Sequence, residues 1–171
     1  MSIHDVLFLP VALAMRHVGQ AITEPVRLSG AFGTQVKSDN TLVTVADTQA
    51  QDYLLQALPK IVAGAKVLGE ESFGKGQKWQ DSPLVCDQSS VFVVDPIDGT
   101  RRFARGEDYG VMVALRQQGQ VRAAWIYYPV TDDMIFASEQ DESMFIHWSA
   151  DSKMPGNEMI VLKVGEGLIA D

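Results

Sequence analysis

Two carboxylates, three residues apart, bracket a proline in Val93-Val94-Asp95-Pro96-Ile97-Asp98-Gly99-Thr100, directly after a run of Val and Phe. Magnesium prefers a rigid octahedral shell of oxygens, and a proline-stiffened turn can aim two carboxylates and an intervening carbonyl at one point. Gly99 and Thr100 then open a short helix through Phe103, whose first N–H groups lack intrahelical partners and suit a phosphate oxygen. Asp, Pro, Gly and Thr are equally at home in an ordinary chain reversal, so the octapeptide alone does not decide between the two readings. Two further segments bear on the choice. Gly69-Glu70-Glu71 stands at the end of another apolar run, and Val43-Thr44-Val45-Ala46-Asp47 opens a predicted helix. Their plain alternatives are a solvated acidic turn and a helix N-cap.

The elements that must position these residues can be read from periodicity. Apolar residues recur at helical spacing from Val6 to Leu28 (Leu9, Leu13, Val18, Ile22, Val26), with Pro10 near the start, Pro25 near the end, and Gly30 and Gly33 as a stop. Phe32 to Lys37 suggests a strand, and Ser38-Asp39-Asn40 a turn. Thr44 or Asp47 caps a second helix to about Leu58, with Ala46, Ala50, Tyr53, Leu54 and Leu58 on one face and Pro59 marking its end. Lys66 to Gly69 reads as a buried strand and Phe73 to Gln80 as a surface loop. Val91 to Val94 reads as a strand ending at Asp95. Strands at Tyr109–Leu115, Val121–Tyr127 and Met134–Ala137, with turns at Gln118-Gly119 and Thr131-Asp132, suggest an antiparallel meander.

Composition narrows the class. The 171 residues fit one domain, and 46% hydrophobic with 21% charged residues is ordinary for a globular chain. A formal charge of −8 argues against a nonspecific nucleic-acid partner, itself a polyanion. The single cysteine, Cys86, cannot form an internal disulfide, so a cytoplasmic location is expected. The apolar stretch Val6–Met15 lacks a basic start and falls short of the ~20 residues needed to span a bilayer, so no membrane is expected. His4, His17 and His147 show no ligand spacing. Gly74-Lys75-Gly76 lacks the spacing of a P-loop, and Trp79, Trp125 and Trp148 read as packing residues.

The three acidic segments, in this order and at these separations, resemble the inositol monophosphatase family of magnesium-dependent, lithium-sensitive phosphatases. That family carries an aspartate-proline-x-aspartate-glycine-threonine motif downstream of a glycine-glutamate-glutamate. The resemblance runs from about Phe32 to about Ala137 and includes Lys37 and Phe103. It implies an α+β fold with N-terminal helices packed on a largely antiparallel sheet, the first half of a layered αβαβα sandwich. It also implies Mg2+ ligation by Glu70, Asp95, the Ile97 carbonyl and Asp98, and a water-orienting pair, Thr100 and Asp47. Glu70 would assist as a base, and substrate phosphate would meet Asp98, Gly99 and Thr100. Ions of this kind neutralise phosphoryl oxygens, lower the pKa of water and stabilise a departing alkoxide.

The implied function is magnesium-dependent hydrolysis of a small phosphate monoester, an inositol phosphate or a related sugar or alcohol phosphate. Arg102 stands where family members acting on inositol phosphate often carry asparagine, and related phosphatases act on histidinol phosphate, fructose bisphosphate or adenosine bisphosphates. Arg101, Arg102 and Arg105 read either as anion contacts or as a solvated basic face.

The family continues into a second α/β half with a tryptophan-aspartate-x-alanine-alanine-glycine motif, absent from this sequence. Residues 1–148 are therefore expected to form a metal-binding domain and 149–171 a divergent or truncated tail. Two consequences follow from the resemblance: a metal-binding or regulatory module without catalysis is the alternative reading, and apolar surface left by the missing half favours a homodimer.

Overall fold

The computed structural model describes residues 3–36, 42–72, 82–86, 89–139, 143–148 and 159–162. Lys37, the Ser38–Asn40 turn, the Phe73–Gln80 loop with Trp79, and most of the tail beyond Trp148 lie outside them. The chain begins with α1 (Ile3–His17), passes through a π-helical stretch (Val18–Thr23) into α2 (Glu24–Ser29), and stops at Gly30 in the left-handed region. A short antiparallel pair, β1 (Gln35–Val36) and β2 (Leu42–Val43), leads into α3 (Val45–Ile61). β3 (Lys66–Gly69), β4 (Val91–Asp98), α4 (Thr100–Phe103), β5 (Gly110–Gln117), β6 (Gln120–Tyr128), β7 (Asp133–Ser138), β8 (Ser143–His147) and β9 (Met159–Leu162) complete the order. Seven of these strands form one sheet in sequence order, with β3 parallel to β4 and every later pair antiparallel. The α+β class and the helices-on-antiparallel-sheet layering are as expected from the sequence.

The core lies between the helices and one face of the sheet. Phe8, Val11, Ala12, Met15 and Val18 on the first helix and Ala50, Leu54 and Leu58 on α3 cover Phe92, Val113, Trp125 and Phe136. Trp125 and Trp148 are fully buried packing residues. Of the expected stripe on the first helix, Val18 is sealed in the core and Leu9, Ile22 and Val26 pack against buried clusters, but Leu13 is 39% exposed while Val11 and Met15, outside the stripe, are sealed. The helix is apolar nearly all round here, so periodicity cannot choose the face and the sheet decides it.

The run Val6–Ser29 has 24 residues at a hydropathy of 1.4, long and apolar enough to cross a membrane, contrary to the shorter stretch read from sequence. Its sealed residues instead pack on the sheet, and Arg16 is tied to Asp132 by a bidentate ion pair at 2.6–2.9 Å.

Pro59 does not end α3. It sits in the last turn, where its missing N–H forfeits one bond, and the helix closes with the Val62 N–H donating to the Leu58 carbonyl at 3.1 Å. The strand expected at Phe32–Lys37 is reduced to Gln35–Val36 among the described residues. Gln118 and Gly119 both take positive φ, 52° and 78°, as a tight hairpin requires. On the sheet's other face, Met112, Ile126, Ile135 and Phe145 lie in register across four strands and are half-buried.

Candidate active site

The site gathers where α3 begins and where β3 and β4 end. Thr44 caps α3 in a capping box: its hydroxyl and N–H both donate to Asp47 Oδ2, at 2.5 and 2.7 Å. The other oxygen, Asp47 Oδ1, faces the Thr100 hydroxyl at 3.3 Å. Asp47 is 1% exposed. Burial raises its pKa, against the opposing pull of the bonds from Thr44 and Thr100. One residue thus serves the cap and the site together.

β4 does not stop at Asp95. Pairing with β5 runs from Val91 to Asp98, with the register shifting between Asp95 and Asp98. Pro96 sits in that irregularity, the one kind of mid-sheet position a proline tolerates, because no ladder N–H is needed from it. The Ile97 N–H turns back to Asp95 Oδ1 at 3.2 Å. Gly99 takes φ +88°, a value few other residues adopt, and lets the chain turn sharply into α4.

Glu70 begins the 3-10 turn after β3 and is exposed. Parallel pairing sets Gly69 beside Val94 and so brings Glu70 to the Asp95 end of β4. Gly69 lets α3 pack close, since a Cβ there would come within 2.1 Å of the Gln51 side chain, which would have to move aside. The Asp95 carboxyl is pushed up to about 8, first by burial and then by the charge and hydrogen bond of Glu70 and the charge of Asp98. Asp95 thus feels both Glu70 and Asp98, and carboxylates are the hard-oxygen donors that suit a divalent cation. Among the described residues, no three His, Cys, Asp or Glu side chains already converge on a common point.

Thr100 Oγ1 lies 3.1 Å from the Ile97 carbonyl as well as 3.3 Å from Asp47. It has one proton for two acceptors, which leaves its lone pairs for a donor such as water. Arg102 and Arg105 are exposed and share Glu107 at 3.7 and 3.9 Å. His17 stacks on Tyr53, and His147 meets Asp133 at 2.8 Å, both away from the carboxylates.

A platform missed by sequence reasoning underlies the site. Ala46, Ile97, Phe103 and Tyr109 form a separate buried cluster, and three of the four adjoin or belong to site segments. Tyr109 and its partners Thr23, Glu24 and Arg27 left only one trace in the sequence, polar residues inside an otherwise apolar helical run.

The sequence matches the model of the inositol monophosphatase family over residues 3–160. The chain belongs to that family, and the match reaches well past the Phe32–Ala137 span read from motifs. It is 30% identical to a histidinol-phosphatase of Chlorobaculum parvum, covering 66% of this chain and 40% of that protein. It is likewise 30% identical to the 3'(2'),5'-bisphosphate nucleotidase CysQ of Salmonella typhimurium, covering 72% and 48%. Among solved structures, the extragenic suppressor protein suhB of Bartonella henselae superposes with a TM-score of 0.66 at 27% identity, over 82% of this chain and 52% of that one. The chain spans about half the length of the relatives it matches.

Proposed function

We propose that this protein contributes to magnesium-dependent hydrolysis of a small phosphate monoester, an inositol phosphate or a related sugar or alcohol phosphate, in the cytoplasm. The observation that carries the reading is the Thr100 hydroxyl between Asp47 Oδ1 and the Ile97 carbonyl, beside the Glu70, Asp95 and Asp98 carboxylates. Family membership supports the reaction class.

In this reading Glu70, Asp95, the Ile97 carbonyl and Asp98 hold Mg2+, which when bound supplies charge neutralisation and water activation. Thr100 donates its one proton to Asp47 and accepts from the attacking water, fixing the direction of that water's lone pair. Asp47, buried and raised in pKa, is suited to take a proton passed through the Thr100 hydroxyl. Glu70, on the solvent side, is the second base. The Gly99 and Thr100 N–H groups, with Asp98, orient the phosphate.

The second reading is a magnesium-binding or regulatory module that does not turn substrate over. Magnesium calorimetry paired with phosphate release separates the two. The enzyme gives both signals, the module gives saturable heat alone, and Asp95→Asn loses whatever wild type has. Wild type with no saturable heat overturns both readings.

A further inference from the structure

We propose that the π-turn in the N-terminal helix is a positioning device. Through Thr23, Glu24 and Arg27 it clamps Tyr109 and the turn after α4, and so sets where Thr100 stands relative to Asp47. The inference rests on the active-site reading above and adds residues that reading does not use.

The π-helical stretch Val18–Thr23 inserts extra chain into a helix of otherwise regular period, which rotates the following residues about the axis. Its polar side chains diverge as a result. Gln20 donates to the Tyr127 hydroxyl at 2.8 Å and to the Pro129 carbonyl at 3.0 Å, toward the β6–β7 turn. Thr23 and Glu24, both buried, face Tyr109 just before β5, at the same end of the sheet but on a different set of partners. There the Thr23 and Tyr109 hydroxyls are 2.5 Å apart, and Tyr109 donates to Glu24 Oε1 at 3.0 Å. Glu24 in turn receives a bidentate pair of bonds from Arg27, each 2.7 Å. The remaining Arg27 nitrogen, Nη1, donates to the Gly106 carbonyl at 3.0 Å. Gly106 closes the turn that follows α4, taking φ +75° and donating to the Phe103 carbonyl.

The clamp reaches α4 by two routes. Polar contact runs from Arg27 to Gly106. Apolar contact runs through the Tyr109 ring, which meets Phe103 edge-on at 4.8 Å, while Phe32 meets Phe103 from another side at 5.4 Å. Phe103 is fully buried and stands three residues from Thr100 in a four-residue helix. A helix so short has no stability of its own, so its place is set by what grips it. The same buried cluster contains Ala46 and Ile97, the neighbours of Asp47 and Asp98. Burial keeps the Tyr109 phenol protonated, and therefore a donor to Glu24 across the working pH range.

The test compares Tyr109→Phe and Glu24→Gln with Tyr127→Phe, a matched control that also removes a buried phenol hydroxyl held by the π-turn. Amide hydrogen exchange over residues 99–107 and the kcat and KM for magnesium-dependent release from inositol 1-phosphate are measured on the full chain. Loss of one buried hydrogen bond should speed exchange over 99–107 about tenfold in Tyr109→Phe and Glu24→Gln, with kcat falling by a similar factor at unchanged KM. Tyr127→Phe should lower overall stability yet leave both local readouts at wild type.

Unchanged exchange over 99–107 in Tyr109→Phe and Glu24→Gln overturns the proposal, and so does equal acceleration in Tyr127→Phe. Should Glu24→Gln fail to fold, Thr23→Val and Arg27→Gln take its place. If wild type releases no phosphate, the catalytic reading fails, and the exchange pattern alone still decides whether the clamp exists.

Discussion

Metal-free protein should lose stability as pH rises from about 4 to about 8, and Asp95→Asn should remove that loss. The folded state holds the Asp95 carboxyl at about 8 against 3.8 in a free chain, so between these values the native state binds a proton that the unfolded state has released. A raised carboxyl stabilises the fold fully below its unfolded pKa, and that stabilisation is gone once pH has passed the folded value. The linkage slope for one proton is about 1.4 kcal/mol per pH unit, so wild type should fall by about 3 kcal/mol relative to Asp95→Asn between pH 5 and pH 7. Urea unfolding in EDTA at half-unit steps of pH measures the difference directly. Because Glu70 and Asp98 supply much of the repulsion, saturating Mg2+ should flatten the wild-type profile and leave the mutant unmoved. Parallel wild-type and mutant curves in EDTA would refute the claim that Asp95 is buried and crowded by Glu70 and Asp98.

Other positions give sharper local tests. Gly19→Ala places a Cβ within 2.4 Å of the Tyr127 ring and 2.9 Å of Pro129, and overpacking of this kind should cost about 1–3 kcal/mol in urea unfolding. Thr44→Ala removes the hydroxyl of the capping box and should cost about 1 kcal/mol, while Thr44→Ser should restore most of it. Asp47→Ala leaves Thr44 and Thr100 without their shared acceptor, so it should abolish phosphate release as well as lower the unfolding midpoint. If the half-buried row Met112, Ile126, Ile135 and Phe145 is covered by a second copy, sedimentation should show a dimer that Ile126→Glu converts to monomer. A monomeric wild type would remove that partner from the account.

Much of this architecture could be read from residues because local signals agreed with tertiary demands. Val43-Thr44-Val45-Ala46-Asp47 announces a cap, and α3 begins there with Thr44 as N-cap. The meander strands are apolar runs bounded by turn residues, and each was found within two residues of its expected ends. Three features could not be read this way. The Val6–Met15 stretch of the first helix is apolar on every side, so its buried face depends on which residues the sheet meets. The Asp95–Asp98 segment looks like a turn by composition, yet it stays paired with β5 because the bulge accommodates Pro96. The Thr23–Glu24–Arg27–Tyr109 network joins positions about 85 residues apart through a π-turn, a rotation that hydrophobic spacing does not encode. Motif spacing brought forward Asp47, Glu70, Asp95, Asp98 and Thr100. The contacts now visible among them, Thr100 to Asp47 and Asp95 to Glu70, are tertiary facts that spacing alone does not supply.

Phosphate release from inositol, histidinol and nucleotide phosphates by the purified chain, with and without Mg2+, beside Asp95→Asn, decides whether this site hydrolyses phosphate monoesters. The expected result is magnesium-dependent release from at least one of these monoesters and none from the mutant. No release from wild-type protein shown to be folded by circular dichroism, or equal release by Asp95→Asn, would contradict it.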